Sequence, residues 1–158
     1  MTAGLRRHHA SLMTIDELRL EDYEDVYRLW EGTKGIGLSS ADSRGAIARY
    51  LRRNAGVSSA ARNGGRLVGA VLAGHDGRRG YLHHLVVSPD ARGRGLGRAL
   101  VARSLQRLKA EGIAKCHIFL MKDNDAGAGF WNAVGWEART DIGIFSRPRD
   151  DAEAASPL

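Results

Sequence analysis

Residues 92–98 combine three glycines with three arginines. In order they are Arg92, Gly93, Arg94, Gly95, Leu96, Gly97 and Arg98. An apolar run precedes this stretch, and a helical pattern begins at Leu96. The first turn of a helix leaves backbone N–H groups unpaired and carries a partial positive charge, so it attracts phosphate. Glycine lets a ligand approach the backbone closely, and arginine adds charge. The segment therefore predicts a cradle for a pyrophosphate group.

Two common phosphate-binding motifs do not fit this spacing. A P-loop needs Gly followed after four residues by Gly-Lys-Ser or Gly-Lys-Thr, and the chain has no such run. The dinucleotide fingerprint Gly-x-Gly-x-x-Gly fails because its last glycine falls on Arg98 when counted from Gly93, and on Leu100 when counted from Gly95. Position therefore excludes both nucleotide motifs.

Positive charge is concentrated around the same loop. The net charge is +6, and residues 78–109 hold eight cations against the single acid Asp90. A local basic region favours an anionic partner, which is a nucleic acid, a membrane surface or a phosphorylated small molecule. We interpret Arg103, Arg107 and Lys109 as a solvated helix face.

Length and composition indicate one globular domain. The chain has 158 residues with 43% hydrophobic positions, and no apolar run approaches the roughly 20 residues that span a bilayer. The start lacks the apolar centre of a secretory signal, and the single cysteine, Cys116, agrees with a reducing compartment. We expect a cytoplasmic protein in which residues 1–12 are a disordered extension, 13–148 the folded domain and 149–158 a flexible tail.

Alternating strand and helix patterns position the loop. The periodicity predicts helices over residues 21–32, 40–54, 96–111 and 126–134. It predicts strands over residues 14–20 and 114–121, three sequential antiparallel strands within 57–87, and one or two final strands within 136–147.

Two motifs resemble those of the GNAT superfamily of acyl-CoA-dependent N-acyltransferases. The run from Arg92 to Gly97 matches the Arg/Gln-x-x-Gly-x-Gly/Ala signature of that family. Residues 124–136 resemble its Asn-x-x-Ala-x-x-Phe-Tyr-x-x-x-Gly-Phe pattern, and the likeness covers residues 14 to about 147. The resemblance implies an α/β (α+β) GNAT fold, with a mixed, mostly antiparallel central sheet of six to seven strands flanked by about four helices.

The resemblance also implies acetyl-CoA as the cosubstrate. Residues 92–98 would bind its pyrophosphate, and its pantetheine arm would run beside Leu85, Val86 and Val87. The N–H of Leu85 would face the acetyl carbonyl oxygen and stabilise the negative charge that develops there. Asn124 would contact the same arm or cap a helix, because Asn is also a favoured N-cap. Trp131, also assigned to this arm, stands where many members have a proton-donating tyrosine.

Acetyl transfer to an amine needs a base or a water chain to remove a proton, because most amines are protonated at neutral pH. Side chains alternate along a strand, so we expect Tyr81 and His83 on one face and His84, as a packed residue, on the other. Serotonin N-acetyltransferases carry a histidine at the place of His83, which makes His83 the candidate base. The alternative is that His83 only lines the acceptor site. Since Trp131 cannot protonate the leaving thiolate, its proton would come from water, from Tyr81, or not at all before release.

The acceptor expected from the resemblance is a primary amine of a small molecule or peptide. Trp30, Glu31, Tyr50 and the segment 142–145 would shape its site together with His83. Two other functions stay open, a non-catalytic acyl-CoA sensor and a nucleic-acid-binding domain. We expect no metal, no nucleic acid and no membrane partner, and the sequence leaves a homodimer open.

Overall fold

One mixed sheet organises residues 12–149, the part of the chain that the computed structural model describes. Its five strands, in spatial order, are β1 (Met13–Glu17), β2 (Ser59–Asn63), β3 (Arg66–His75), β4 (Gly80–Val87) and β5 (Cys116–Ile118). Strands β1 to β4 pair antiparallel with their neighbours, and β5 pairs parallel with β4. The predicted mixed, mostly antiparallel sheet is confirmed.

Four α-helices of the described chain cover the two faces of this sheet. They are α1 (Tyr23–Glu31), α2 (Arg44–Arg53), α3 (Leu96–Ala110) and α4 (Asp125–Ala133). Trp30 of α1 and Ile47 of α2 belong to the apolar cluster on one face. Leu100 of α3 and Trp131 of α4 belong to the cluster on the other. Strand β4 therefore runs between two packed layers, and its side chains divide between them.

The predicted sixth and seventh strands do not form within residues 12–149. The sequence predicted them within 136–147, but no residue there is in a strand. Ile142 and Ile144 alternate as in a strand, yet both are exposed and Phe145 is 100% exposed. A stable strand needs a neighbouring strand for its main-chain hydrogen bonds and a surface against which one of its faces packs. An alternating sequence pattern provides neither of these. The prediction of six to seven strands was wrong.

The chain ends fall largely outside the described residues. Of the predicted extension 1–12 and tail 149–158, only Leu12 and Arg149 are described. Within residues 12–149, no helix combines the length and apolarity that a membrane span requires. The cytoplasmic location stays a prediction.

An ion-pair cluster connects β1 and β2 to the start of α1. Arg62 donates hydrogen bonds to both carboxylate oxygens of Asp22, at 2.7 and 2.8 Å, and to Asp16 at 2.9 Å. Burial disfavours the charge on Asp22, but the hydrogen bonds from Arg62 and from the backbone of Arg19 outweigh it. The pKa of Asp22 therefore lies below its usual value.

We expect Asp22→Asn to lower the free energy of unfolding at pH 7 by about 2 kcal/mol, because Arg62 loses the carboxylate that accepts two of its hydrogen bonds and keeps its pair with Asp16. Since the folded-state pKa of Asp22 is depressed, this stabilisation is present above about pH 4 and is lost as the pH falls through the folded-state pKa. Urea unfolding at several pH values measures it. Asp25→Asn, which removes an exposed pair with Arg28, is the control. Equal losses in the two variants would contradict the prediction.

Candidate functional site

The glycine–arginine segment forms an open turn between β4 and α3. Gly93 and Gly95 both have φ of +76°, a left-handed backbone conformation that residues other than glycine rarely adopt. A Cβ atom at either position would meet no atom within 4 Å, so the backbone here borders open space. Among the described residues, no side chain caps the start of α3. The unpaired N–H groups of its first turn therefore face a space that an anion can enter.

The three arginines of this turn differ in their contacts. Arg92 donates from Nε to the carbonyl oxygen of Val87 at 3.0 Å, which ties the turn to the end of β4. The side chains of Arg94 and Arg98 are exposed. Arg92 is exposed as well, and its bond to a neutral carbonyl leaves its charge in place, so all three arginines can contribute charge to an anion at the turn.

Strands β4 and β5 separate next to the turn. Their parallel pairing runs from Gly80 opposite Cys116 to Leu82 opposite Ile118 and goes no further in the described chain. Residues 83–87 of β4 thus border a gap in the sheet. Gly97 of α3 lies beside this part of β4, since a Cβ there would lie 3.2 Å from the ring of Phe130 and 4.0 Å from the side chain of Leu85. This gap leads from the turn to the middle of β4.

A β-bulge interrupts β4 at His84, which corrects the predicted alternation. Ala70 pairs with Val86 and Leu72 with His83, so two residues of β4 stand opposite the single Val71. The ring of His83 contacts Tyr50 and that of His84 contacts Trp30, so both histidines face the layer of α1 and α2. The prediction that His84 points to the opposite face was wrong, because the bulge inserts one residue into the period of two.

His83 lines a cavity of about 200 Å³ on that face. Its other lining residues are Tyr50, Arg53, Asn54, Gly74, His75, Asp76 and Tyr81. Burial lowers the pKa of His83, the proximity of His84 lowers it further, and Asp42 opposes them. The imidazole is therefore predominantly neutral near pH 7 and can accept a proton. The structure brings together three predicted residues here, Tyr50, Tyr81 and His83.

The deep end of this cavity holds residues that the sequence did not single out. Asn54 donates to the carbonyl of Tyr50 at 3.3 Å and accepts from the N–H of His75 at 3.0 Å. Gly74 makes this packing possible, because a Cβ there would lie 2.6 Å from the amide of Asn54 and 2.8 Å from the hydroxyl of Tyr50. No local pattern marks the contacts of Asn54 with His75 and Gly74 or that of Tyr50 with Gly74, since they join residues 20 or more positions apart.

The hydroxyl of Tyr50 is buried and finds no hydrogen-bond partner among residues 12–149. Burial also raises its pKa, so the group stays protonated. A buried donor without a partner is costly, and a polar ligand atom would relieve that cost.

Four predicted site residues lie elsewhere. Trp30 is 1% exposed beneath His84, and Glu31 is exposed at the end of α1, so neither lines the cavity. Asn124 accepts a hydrogen bond from the N–H of Gly127 at 2.8 Å, which makes it the N-cap of α4. Trp131 packs in the core between Phe130 and Trp136. Their roles toward ligands stay predictions.

A larger cavity, of about 540 Å³, lies between the outer side of α3 and β1. Arg103 lines it and donates to the carbonyl of Ser58 at 3.1 Å and to the hydroxyl of Ser59 at 3.0 Å. Arg103 therefore belongs to the contact between α3 and β2, and its prediction as part of a solvated face was wrong. Neither His83 nor any residue of 92–98 lines this cavity.

Within the described part of the chain, no group of three or more His, Cys, Asp or Glu side chains is arranged to hold a metal ion. The expected absence of a metal is still only a prediction.

Comparison with known proteins agrees with this geometry. The sequence model of the acetyltransferase (GNAT) family matches residues 16–136. An acetyltransferase of Pectobacterium atrosepticum is 35% identical over 141 residues, which are 89% of this chain and 99% of that protein. Two solved structures share the fold. The aminoglycoside N-acetyltransferase AAC(6')-Iy in complex with CoA has a TM-score of 0.70 at 22% identity, over 90% of this chain and 99% of that one. The PaiA N-acetyltransferase of Thermoplasma acidophilum with coenzyme A has a TM-score of 0.68 at 17% identity, over 83% and 93%.

Proposed function

Since this chain belongs to the GNAT acetyltransferase family, we propose that it transfers the acetyl group of acetyl-CoA directly to a primary amine of a small molecule or peptide. One observation carries the proposal. Strand β4 ends in an uncapped glycine turn, borders a gap in the sheet, and presents the half-buried, neutral His83 to a cavity. An anion site, a channel and a base therefore lie along one strand.

Acetyl-CoA fits the first two of these features. Its pyrophosphate would accept hydrogen bonds from the backbone N–H groups of the turn, with Arg94 and Arg98 adding charge. Its pantetheine arm would occupy the gap beside Leu85 and Val87, where β4 has lost its parallel neighbour. The N–H of Leu85 would then donate to the acetyl carbonyl oxygen as negative charge develops during attack.

His83 would supply the base. The amine must lose a proton before or during its attack on the thioester carbonyl carbon, and the neutral imidazole of His83 can accept it. The new C–N bond then forms while the C–S bond breaks, and coenzyme A leaves as a thiolate. Because His83 also lines the cavity, the acceptor amine would reach the thioester from that side.

The leaving thiolate would take its proton from Tyr81 or from water. Trp131 stands where many family members have a tyrosine, and it is packed in the core. Tryptophan has no acidic hydroxyl, so this side chain cannot be the donor. Thiols have pKa values near 8.5, so a missing donor costs much less than a missing base.

The cavity favours an acceptor that places a polar group beside its amine. The buried hydroxyl of Tyr50 would donate to an acceptor oxygen, which gives this hydroxyl the partner it lacks among residues 12–149. A volume of about 200 Å³ admits the reactive end of an acceptor and leaves the remainder outside.

The test is the release of free thiol from acetyl-CoA in the presence of a panel of amines, including amino acids, peptides, polyamines and aminoglycosides. Turnover with at least one amine supports the proposal. The melting temperature with and without CoA is measured in parallel. Stabilisation by CoA without turnover on any amine would favour a sensor, and salt-sensitive retention of DNA without stabilisation by CoA would favour nucleic acid.

A further inference from the structure

His84 is held in a strained backbone conformation at the centre of β4. Among the described residues it is the only non-glycine residue with a positive φ, which is 53°. Such a conformation costs a non-glycine residue free energy, so it persists only where the surroundings impose it. His84 is one of the two bulge residues, and the other is Leu85, whose N–H faces the thioester carbonyl in the proposed function.

One carboxylate contacts the side chain of His84 directly. Nε2 of His84 lies 2.8 Å from Oδ1 of Asp42, and the two side chains are only 14% and 7% exposed. The ring of His84 also packs edge-on against Trp30, with 5.1 Å between ring centroids. The side chain is therefore directed into the layer of α1 and α2, away from the gap between β4 and β5.

Asp42 is itself fixed by the segment between α1 and α2. Its Oδ2 accepts a hydrogen bond from the N–H of Ser39 at 3.0 Å. Its carbonyl oxygen accepts one from the hydroxyl of Tyr23 at 2.8 Å. The pair thus connects the bulge of β4 to a well-anchored turn 42 residues earlier in the chain.

The backbone geometry gives this connection a consequence for catalysis. Rotation about ψ of His84 turns the peptide plane between residues 84 and 85, and that plane carries the N–H of Leu85. We propose that the His84–Asp42 pair is a positioning device that aims the Leu85 N–H at the acetyl carbonyl oxygen of the bound thioester. This inference rests on the proposed function, and His84 acts through Leu85 without touching the substrate.

The first test is His84→Gly. Glycine adopts the left-handed conformation freely, so the bulge can persist while its tether is lost. We expect kcat to fall by about tenfold or more, since the oxyanion donor is no longer aimed, and KM for acetyl-CoA to change by less than about twofold. Asp42→Ala should cause the same loss, and the double variant should be no worse than either single one. Asp42→Asn should largely rescue, because its amide oxygen can still accept from Nε2–H.

The control for stability is Ser43→Ala. Ser43 neighbours Asp42 and caps α2 through the N–H of Ala46, so this variant loosens the same segment without contacting the bulge. It should leave kcat unchanged. If His84→Gly does not fold, then His84→Asn replaces it, because Asn also tolerates the left-handed region.

A spectroscopic readout separates this inference from the proposed function. Acetonyl-dethio-CoA carries a methylene in place of the thioester sulfur, so it presents a ketone where acetyl-CoA presents its thioester carbonyl, and it cannot be turned over. The infrared frequency of this carbonyl reports hydrogen bonding from Leu85. We expect a higher frequency when the ketone is bound to His84→Gly than when it is bound to the unaltered protein or to Ser43→Ala. An unchanged frequency together with unchanged kcat would overturn the inference. Absence of turnover in the unaltered protein would overturn the proposed function alone.

Discussion

Gly95→Val should weaken the binding of acetyl-CoA by about 100-fold, which is close to 3 kcal/mol. Gly95 has φ of +76°, and the space beside it is open, so a β-branched residue would distort the turn and fill the volume intended for pyrophosphate. Gly97→Val should also weaken binding, since its Cβ would lie 3.2 Å from the ring of Phe130 and the side chain would displace that ring. Isothermal titration with CoA measures both.

Two controls separate the cradle from general effects. Gly112→Val introduces the same backbone strain at the opposite end of α3, where φ is +83° and the space is equally open. It should lower stability and leave CoA affinity unchanged. Lys109→Ala removes an exposed charge of the same helix and should change affinity by less than about twofold. If Lys109→Ala weakens binding as much as Gly95→Val, overall charge holds the ligand and the turn does not.

His83→Ala should lower kcat by about 100-fold and leave CoA affinity nearly unchanged. His83 lines the cavity on the acceptor side, whereas the proposed cradle lies beyond the other end of β4. The prediction is checked by steady-state kinetics with the best amine from the panel, together with titration of CoA.

The pH profile tests the same residue. Burial lowers the pKa of His83, so the base form is present near neutral pH and is lost as the pH falls through that lowered value. The acidic limb of kcat/KM should therefore have its midpoint below the ordinary histidine pKa of about 6.5. This limb should be absent in His83→Ala.

Matched variants complete the experiment. His75→Ala removes another histidine of the same cavity, and Tyr81→Phe removes the candidate donor; both should reduce turnover much less. If His83→Ala keeps the turnover and pH dependence of the unaltered protein, a water chain or the acceptor is the base, and His83 is part of the cavity wall.

Local sequence was sufficient for the turn and for the order of the elements. Glycines at 93, 95 and 97 allow a backbone that an anion can approach closely, and the arginines around them supply positive charge. Both properties hold in any fold in which this segment joins a strand to a helix. The helical and strand periods likewise predicted α1 to α4 and β1 to β5, with differences at their ends, because each period depends on near neighbours in the chain.

The alternation of side chains along a strand gave wrong predictions in two places. In one the strand contains an inserted bulge residue, and in the other the segment has no neighbouring strand to pair with among the described residues. The period of two placed His84 on the wrong face because a bulge leaves no mark in composition. The same period predicted strands at 136–147, but pairing depends on what lies beside a segment in space.

Only the tertiary structure decided how the site is assembled. Asp42 meets His84 across 42 residues, and Asn54 and Tyr50 meet Gly74 across more than 19. Arg103 donates to the carbonyl of Ser58, which is also distant in sequence, and this contact overturned the prediction that Arg103 lies on a solvated helix face. Contacts of this kind follow from how the two helical layers pack on the sheet. Residue type and spacing therefore determined which chemistry the chain offers, and packing determined which side chains meet to perform it.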